Sequence, residues 1–168
     1  MMTRTYDIRR LDTEARARSI VEFFFSEHSF DDTRYTPGEE EQLKTLPYRA
    51  LEDQASIWYA VNERDETIGV SCVAENDQKT GGYSWDYVVV HRDYRGMGIA
   101  GALLEQMLDY LRQASARYLM TYTCSRPEYR TIRRLFERNG FRLIGRCPDY
   151  YFDGEDRLMY WLRITSES

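Results

Sequence analysis

The chain has 168 residues, of which 42% are hydrophobic and 30% charged, and its net charge is −5. This length and balance suit one domain, 1–168, with a buried core and exclude a disordered polymer. The negative total argues against a nucleic-acid surface, and no apolar run nears the roughly 18–20 residues that cross a bilayer.

Met1 to Arg10 mixes charged and apolar side chains and lacks the apolar stretch of a signal peptide. Cys72, Cys124 and Cys147 are odd in number, widely spaced and form no CxxC. They point to a reducing compartment, with the cytoplasm as the expected location.

In chain order, Tyr6 to Arg9 alternates as a short strand. A helix is expected from Thr13 to Glu27, capped by Asp12, with Ile20, Phe23 and Phe24 on its apolar stripe. A second helix starts near Pro37, where Glu39 to Glu41 suit the positive end of its dipole, and should break or kink at Pro47. Ile57 to Val61 and Ile68 to Ala74 read as a hairpin around the polar turn 62–67. Tyr83 to Val90 is a longer strand whose end, Val88-Val89-Val90, suggests burial on both faces. Gly98 to Ala114 is helical, with Ala100, Leu104, Met107, Leu108 and Leu111 at helical spacing. Tyr118 to Thr123 is a strand, and Glu128 to Asn139 a helix stopped by Gly140. Phe141 to Gly145 and Leu158 to Ile164 complete the sheet, around an acidic, tyrosine-rich loop with a turn at Asp153-Gly154. The order predicts an α/β fold with a mixed sheet.

Charge is unevenly spread. Residues 27–53 hold eight acids against three bases, and Asp149 to Asp156 holds four acids and no base. Flanking one cleft, the two stretches would attract a cationic substrate; apart, they only solvate the surface.

The segment His91-Arg92-Asp93-Tyr94-Arg95-Gly96-Met97-Gly98-Ile99-Ala100-Gly101 follows a strand and opens a helix. Glycines let phosphate oxygens reach backbone N–H groups, the helix N-terminus favours the anion, and Arg95 can add a charged contact. Gly96 to Gly101 also fits GxGxxG, but five polar or charged residues separate Val90 from Gly96. No acid ends the next strand, so a dinucleotide site is disfavoured.

The spacing Arg95-x-x-Gly98-x-Ala100 resembles the pyrophosphate signature (R/Q)-x-x-G-x-(G/A) of the GNAT superfamily of N-acetyltransferases. Val90-His91-x-x-Tyr94-Arg95-Gly96 resembles its V-x-P-x-Y-R-G run, with Arg92 in place of proline. Arg126-Pro127-Glu128-Tyr129 and Leu135-Phe136-Glu137-Arg138-Asn139-Gly140-Phe141 are similar to its second motif, R-P-x-N-x-x-A-x-x-L-Y-x-x-x-G-F. There Tyr129, Ile132 and Phe136 replace asparagine, alanine and tyrosine. The resemblance spans roughly residues 56–164. It implies a mostly antiparallel central sheet splayed at its middle, with helices on both faces.

It also implies acetyl-coenzyme A as cosubstrate, in a wedge between the strands ending at Val90 and Thr123. Backbone groups of Val88, Val89 and Val90 would pair with the pantetheine. N–H groups of Gly96, Met97, Gly98, Ile99, Ala100 and Gly101, with Arg95, would hold the pyrophosphate. An amine from a small molecule or peptide would attack the thioester directly, and a backbone N–H near Val90 would polarise its carbonyl.

Amine acetylation needs a base, and Asp86 is the first choice, with Glu128 next. Phe136 lacks the phenol that often protonates the leaving thiolate. Tyr129, a tyrosine at 150–151 or water would replace it, the thiol pKa of about 8.5 making thiolate a tolerable leaving group. Cys124 has neither His28 nor His91 near it in sequence, so it reads as an inert buried thiol. Two histidines and no cysteine cluster give no basis for a metal site, and Asp149 to Asp156 lacks calcium-loop spacing. Tyr35, Tyr48, Tyr150 and Tyr151 suit the rim of an acceptor cleft. The expected partner is a primary amine, cationic if the acidic stretches meet, without nucleic acid or membrane. A second copy of the chain is one further expectation. The competing reading is a non-catalytic acyl-coenzyme-A sensor, motivated by Phe136 and the missing asparagine.

Overall fold

A computed structural model describes residues 5–165. Seven strands form one mixed sheet in the hydrogen-bonded order β1-β2-β3-β4-β5-β7-β6. They are β1 Tyr6–Arg10, β2 Ser56–Asn62, β3 Thr67–Glu75, β4 Gly82–Val90, β5 Tyr118–Cys124, β6 Arg142–Phe152 and β7 Glu155–Arg163. The helices are α1 Glu14–Phe24, α2 Pro37–Leu51, α3 Ile99–Gln113 and α4 Arg130–Arg138. β4 and β5 pair in parallel, whereas β1–β2, β2–β3, β5–β7 and β6–β7 are antiparallel. This is the α/β class expected. The chain divides into two compact units, residues 1–74 with 87–108 and residues 75–86 with 109–168.

In the first unit, Ala17, Ile20, Phe23 and Phe24 of α1 and Leu43 and Leu46 of α2 pack with Val70 and Cys72 of β3. Those two alternate with Gly69, whose position faces α3 instead. A Cβ there would stand 3.0 Å from a methyl of Ile99 and 3.4 Å from Leu103. Helices therefore cover both faces of β3, as strand alternation requires.

Two helix details differ from expectation. Thr13, not Asp12, caps α1, its hydroxyl accepting from the N–H of Arg16. α2 runs through Pro47, although an interior proline costs about 3 kcal/mol. Leu43, Leu46 and Pro47 are buried together, and core burial of that kind, about 1.5–3 kcal/mol for each leucine, offsets the lost bond.

In the second unit, α4 lies against one sheet face through a cluster of rings. Phe136 packs on Trp85, Phe141 and Tyr160 with centroids 5.3–5.6 Å away. A short 3₁₀ turn, Pro127–Tyr129, precedes α4, and Gly140 with φ +87° follows it. β6 is longer than predicted. The supposed loop is the end of a hairpin that turns at Asp153-Gly154, where Phe152 pairs with Glu155. The register shifts between Cys147 and Phe152, and Asp149 has φ +54°. Such an irregularity hides a strand from a pattern-based reading.

Candidate active site

The glycine loop lies in the first unit. β4 ends at Val90, and the N–H of His91 donates to the carbonyl of Ile68 at 2.7 Å, which fixes where the chain leaves the sheet. His91 then caps a 3₁₀ turn, Arg92–Tyr94, its Nδ1 accepting from the N–H of Asp93 at 3.1 Å. Asn62 donates to the Tyr94 hydroxyl at 3.0 Å and ties this turn to the end of β2. Gly96 and Gly98 both have φ +82°, a conformation costly for side chains with a Cβ. Nothing lies within 4 Å of the place a Cβ would take at Gly96, Gly98 or Gly101. The surface above these glycines is open.

α3 starts at Ile99, which is buried, and the N–H of Ala102 already donates to Gly98. The amides of Ile99, Ala100 and Gly101 have no intrahelical acceptor, as in any first turn. They stand at the positive end of a fifteen-residue helix. Open space, left-handed glycines and unspent amides fit a pyrophosphate.

Arg95 is turned the other way. Nε donates to Val90 O at 3.2 Å, Nη1 to both Asp31 oxygens at 2.9 Å and Nη2 to Ser29 O at 2.7 Å. Four contacts absorb most of its five N–H groups. Here the signature arginine ties the segment after α1 to the end of β4. The Val88–Val90 run also differs from expectation. Val89 is buried with the α1–α2 core, but Val88 and Val90 are only half-buried, so the run is not covered on both faces.

His28 and His91, 63 positions apart, stack with centroids 4.5 Å apart and planes at 15°. Burial, and then the neighbouring His28, hold the His91 imidazolium below its usual pKa of about 6.5. With Asp93 they form the one metal-type group among the described residues. Near-parallel rings direct their lone pairs side by side rather than to a common point, and His91 Nδ1 is already engaged.

The proposed acid–base residues lie in the second unit. Asp86 is half-buried on β4 and accepts from the Ser84 hydroxyl at 2.6 Å. Tyr129 is half-buried at the boundary of α4. Glu128 is exposed and paired with Arg126 at 2.9 Å. Cys124 is buried, and neither it nor Cys72 nor Cys147 is in a disulfide. Phe136, at the motif's tyrosine position, is 1% exposed and belongs to the core.

The acidic stretches hold less free charge than the sequence suggests. Asp31 pairs with Arg95 and Arg92, Asp32 with Arg34, and Glu40 with Lys44. Glu155 pairs with Arg126 and Asp156 with Arg146. No helix of the described residues is long and apolar enough to cross a membrane.

Known proteins match this architecture. A GNAT-family protein from Desulfovibrio desulfuricans superposes with a TM-score of 0.82 at 22% identity, over 95% of this chain and 99% of that one. The ribosomal-protein-S18-alanine N-acetyltransferase of Escherichia coli gives 0.75 at 16% identity, over 97% and 96%. A Bacillus anthracis structure in complex with acetyl coenzyme A gives 0.59 at 17%, over 67% and 64%. At these identities the likeness establishes the fold. No curated protein matches the sequence. The model of the acetyltransferase (GNAT) family matches residues 17–141, most of the chain, and so the protein belongs to the GNAT family of acetyltransferases.

Proposed function

We propose that the protein transfers an acetyl group from acetyl-coenzyme A to a primary amine, on a small molecule or a peptide, by direct attack. The observation that carries this reading is the open cradle at Gly96–Gly101, where a Cβ at Gly96, Gly98 or Gly101 would meet nothing within 4 Å and the first-turn amides of α3 have no intrahelical acceptor. Acetyl-coenzyme A supplies an acetyl thioester, whose carbonyl carbon accepts the amine. The amides of Ile99, Ala100 and Gly101 take the pyrophosphate oxygens, and Gly96, Met97 and Gly98 form the approach to them. Val88 to Val90 offers backbone groups to the pantetheine arm, and an N–H there polarises the carbonyl.

On the same strand, two residues before Val88, Asp86 takes the ammonium proton directly or through water, with Ser84 orienting the carboxylate. The C–N bond forms as the C–S bond breaks; the nitrogen releases its second proton to water, and the sulfur takes a proton from Tyr129 or from water. Three cysteines outside any disulfide support a reducing, cytoplasmic setting.

Gly98→Val tests the reading, because it brings a β-branched side chain to a left-handed position in the cradle. Calorimetry should show acetyl-coenzyme A affinity lost in this variant while circular dichroism stays native. Unchanged affinity would remove the cradle from the site.

A further inference from the structure

One arginine of the second unit has a buried donor without a hydrogen-bond partner. Arg157 of β7 has its guanidinium carbon 3.8 Å from the ring centroid of Tyr122 and 4.4 Å from that of Tyr150. Its Nε is buried and has no hydrogen-bond partner. The neighbouring acids are committed elsewhere: Glu155 to Arg126, and Asp156 to Arg146 and the N–H of Asp149. Among the described residues no carboxylate pairs with Arg157. Orphaned buried donors are rare enough to require a reason. Two aromatic faces stabilise the cation and hold its plane, leaving the fork of N–H groups at its edge for a planar anion.

Strand register places this arginine. Thr121 of β5 pairs with Tyr160 of β7, whose ring packs on α4, so α4 covers that face. Tyr122 and Cys124, with Arg157 opposite Cys124, therefore present the other face. On β4, Trp85 packs on Phe136 of α4, and Ser84 and Asp86 point away from it. Trp85 pairs in parallel with Thr121, so Asp86 and Tyr122 are the next residues on adjacent strands. The face not covered by α4 thus carries Asp86, Tyr122 and Arg157 on three consecutive strands. Strands two places apart lie about 10 Å from one another, and Arg157 is offset by two residues along the strands, so its Cα lies about 12 Å from that of Asp86. The arginine side chain and a molecule with an amine at one end and an acid at the other bridge that span.

We propose that Arg157 anchors a carboxylate of the acceptor, which is accordingly an amino acid-like molecule with its amine presented to Asp86. The proposal rests on the acetyl-transfer reading above. A carboxylate matches the single guanidinium in charge and in its two-pronged geometry. A phosphate monoester, with a charge of about −1.5 to −2 at neutral pH, would be left half-compensated.

The test uses the full chain, saturating acetyl-coenzyme A and release of free thiol, with amino acids compared with their carboxamides, which keep the amine and lose the charge. Amino acids should exceed the amides by about 10- to 100-fold in kcat/KM. Arg157→Gln should abolish this preference by raising KM for the acids, with kcat little changed and amide kinetics unaffected. Arg157→Lys should restore part of it. Equal rates for acid and amide, a preference that survives Arg157→Gln, or aminoalkyl phosphates outrunning the acids would each overturn the assignment. Calorimetric titration of the same compounds into the coenzyme A complex separates this proposal from the one it rests on. Amino acids that bind wild type but not Arg157→Gln, without any turnover, would uphold the anchor and refute the transfer. Binding of neither class would overturn the anchor.

Discussion

Arg95 and Arg157 carry the same group into opposite surroundings. Around Arg95, in the loop after β4, the protein itself supplies Val90 O, Ser29 O and both oxygens of Asp31. Around Arg157, on β7, it supplies two ring faces and no acceptor. The first region leaves only backbone amides for a ligand, and the second leaves a charged side chain. An arginine in a sequence motif is therefore not by itself a ligand contact, and one outside any motif can be. What decides is whether its in-plane donors are already spent.

The comparison is sharpest if each region can be disabled without the other. Asp86→Asn, on the face that carries Arg157, should lower turnover about 10²-fold or more while acetyl-coenzyme A affinity stays unchanged. Gly98→Val should do the reverse to affinity. Full activity of Asp86→Asn at neutral pH would pass the base role to water or to another acid.

A smaller effect tests whether Arg95 is a tie. Asp31→Asn removes half of an exposed bidentate pair, worth about 1 kcal/mol, or a fall in Tm of about 2–4 °C. Arg95→Gln should cost more, and the double variant should show coupling between the two positions. Additive losses, with coenzyme affinity falling only in Arg95→Gln, would make Arg95 a phosphate ligand after all.

The smallest effect is electrostatic. His91 has a folded-state pKa below its unfolded value of about 6.5, so its contribution to stability is complete above that pH. It is lost as pH falls through the folded value, because the unfolded chain binds the proton first. His28→Gln removes one cause of the depression. Proton NMR should show the His91 titration moving up in that variant, and the acid-side loss of stability should be complete at a higher pH with a smaller total. An unmoved titration would leave burial alone as the cause.

Local features of this chain were legible in its sequence. The strand, turn and helix around Gly96–Gly101 follow from glycine, helix-start chemistry and apolar spacing, each read from neighbouring residues. The hairpin of β2 and β3 and the tip at Asp153-Gly154 are equally local. Long-range choices were not. Arg95 finds partners 64 and 66 positions away, and His28 meets His91 across 63. No pattern within a window encodes such meetings. Pro47 misleads for a related reason, since its penalty is local and the burial that offsets it is tertiary. Arg157 carried no motif, and its isolation depends on how Arg126 and Arg146 share out the acids near it.

Gly69 never comes near the cradle's outer surface, yet it sets the depth at which α3 is seated. The absent side chain at that position is the socket that receives the Ile99 methyl, the first residue of the helix. A single added methyl would force the Ile99 side chain, at the first residue of α3, to give by a few tenths of an ångström, a push on the turn that carries the three amides. On the proposed acetyl-transfer reading, coenzyme affinity is adjustable from beneath, through the floor of the sheet, by a residue that any ligand-contact map would omit.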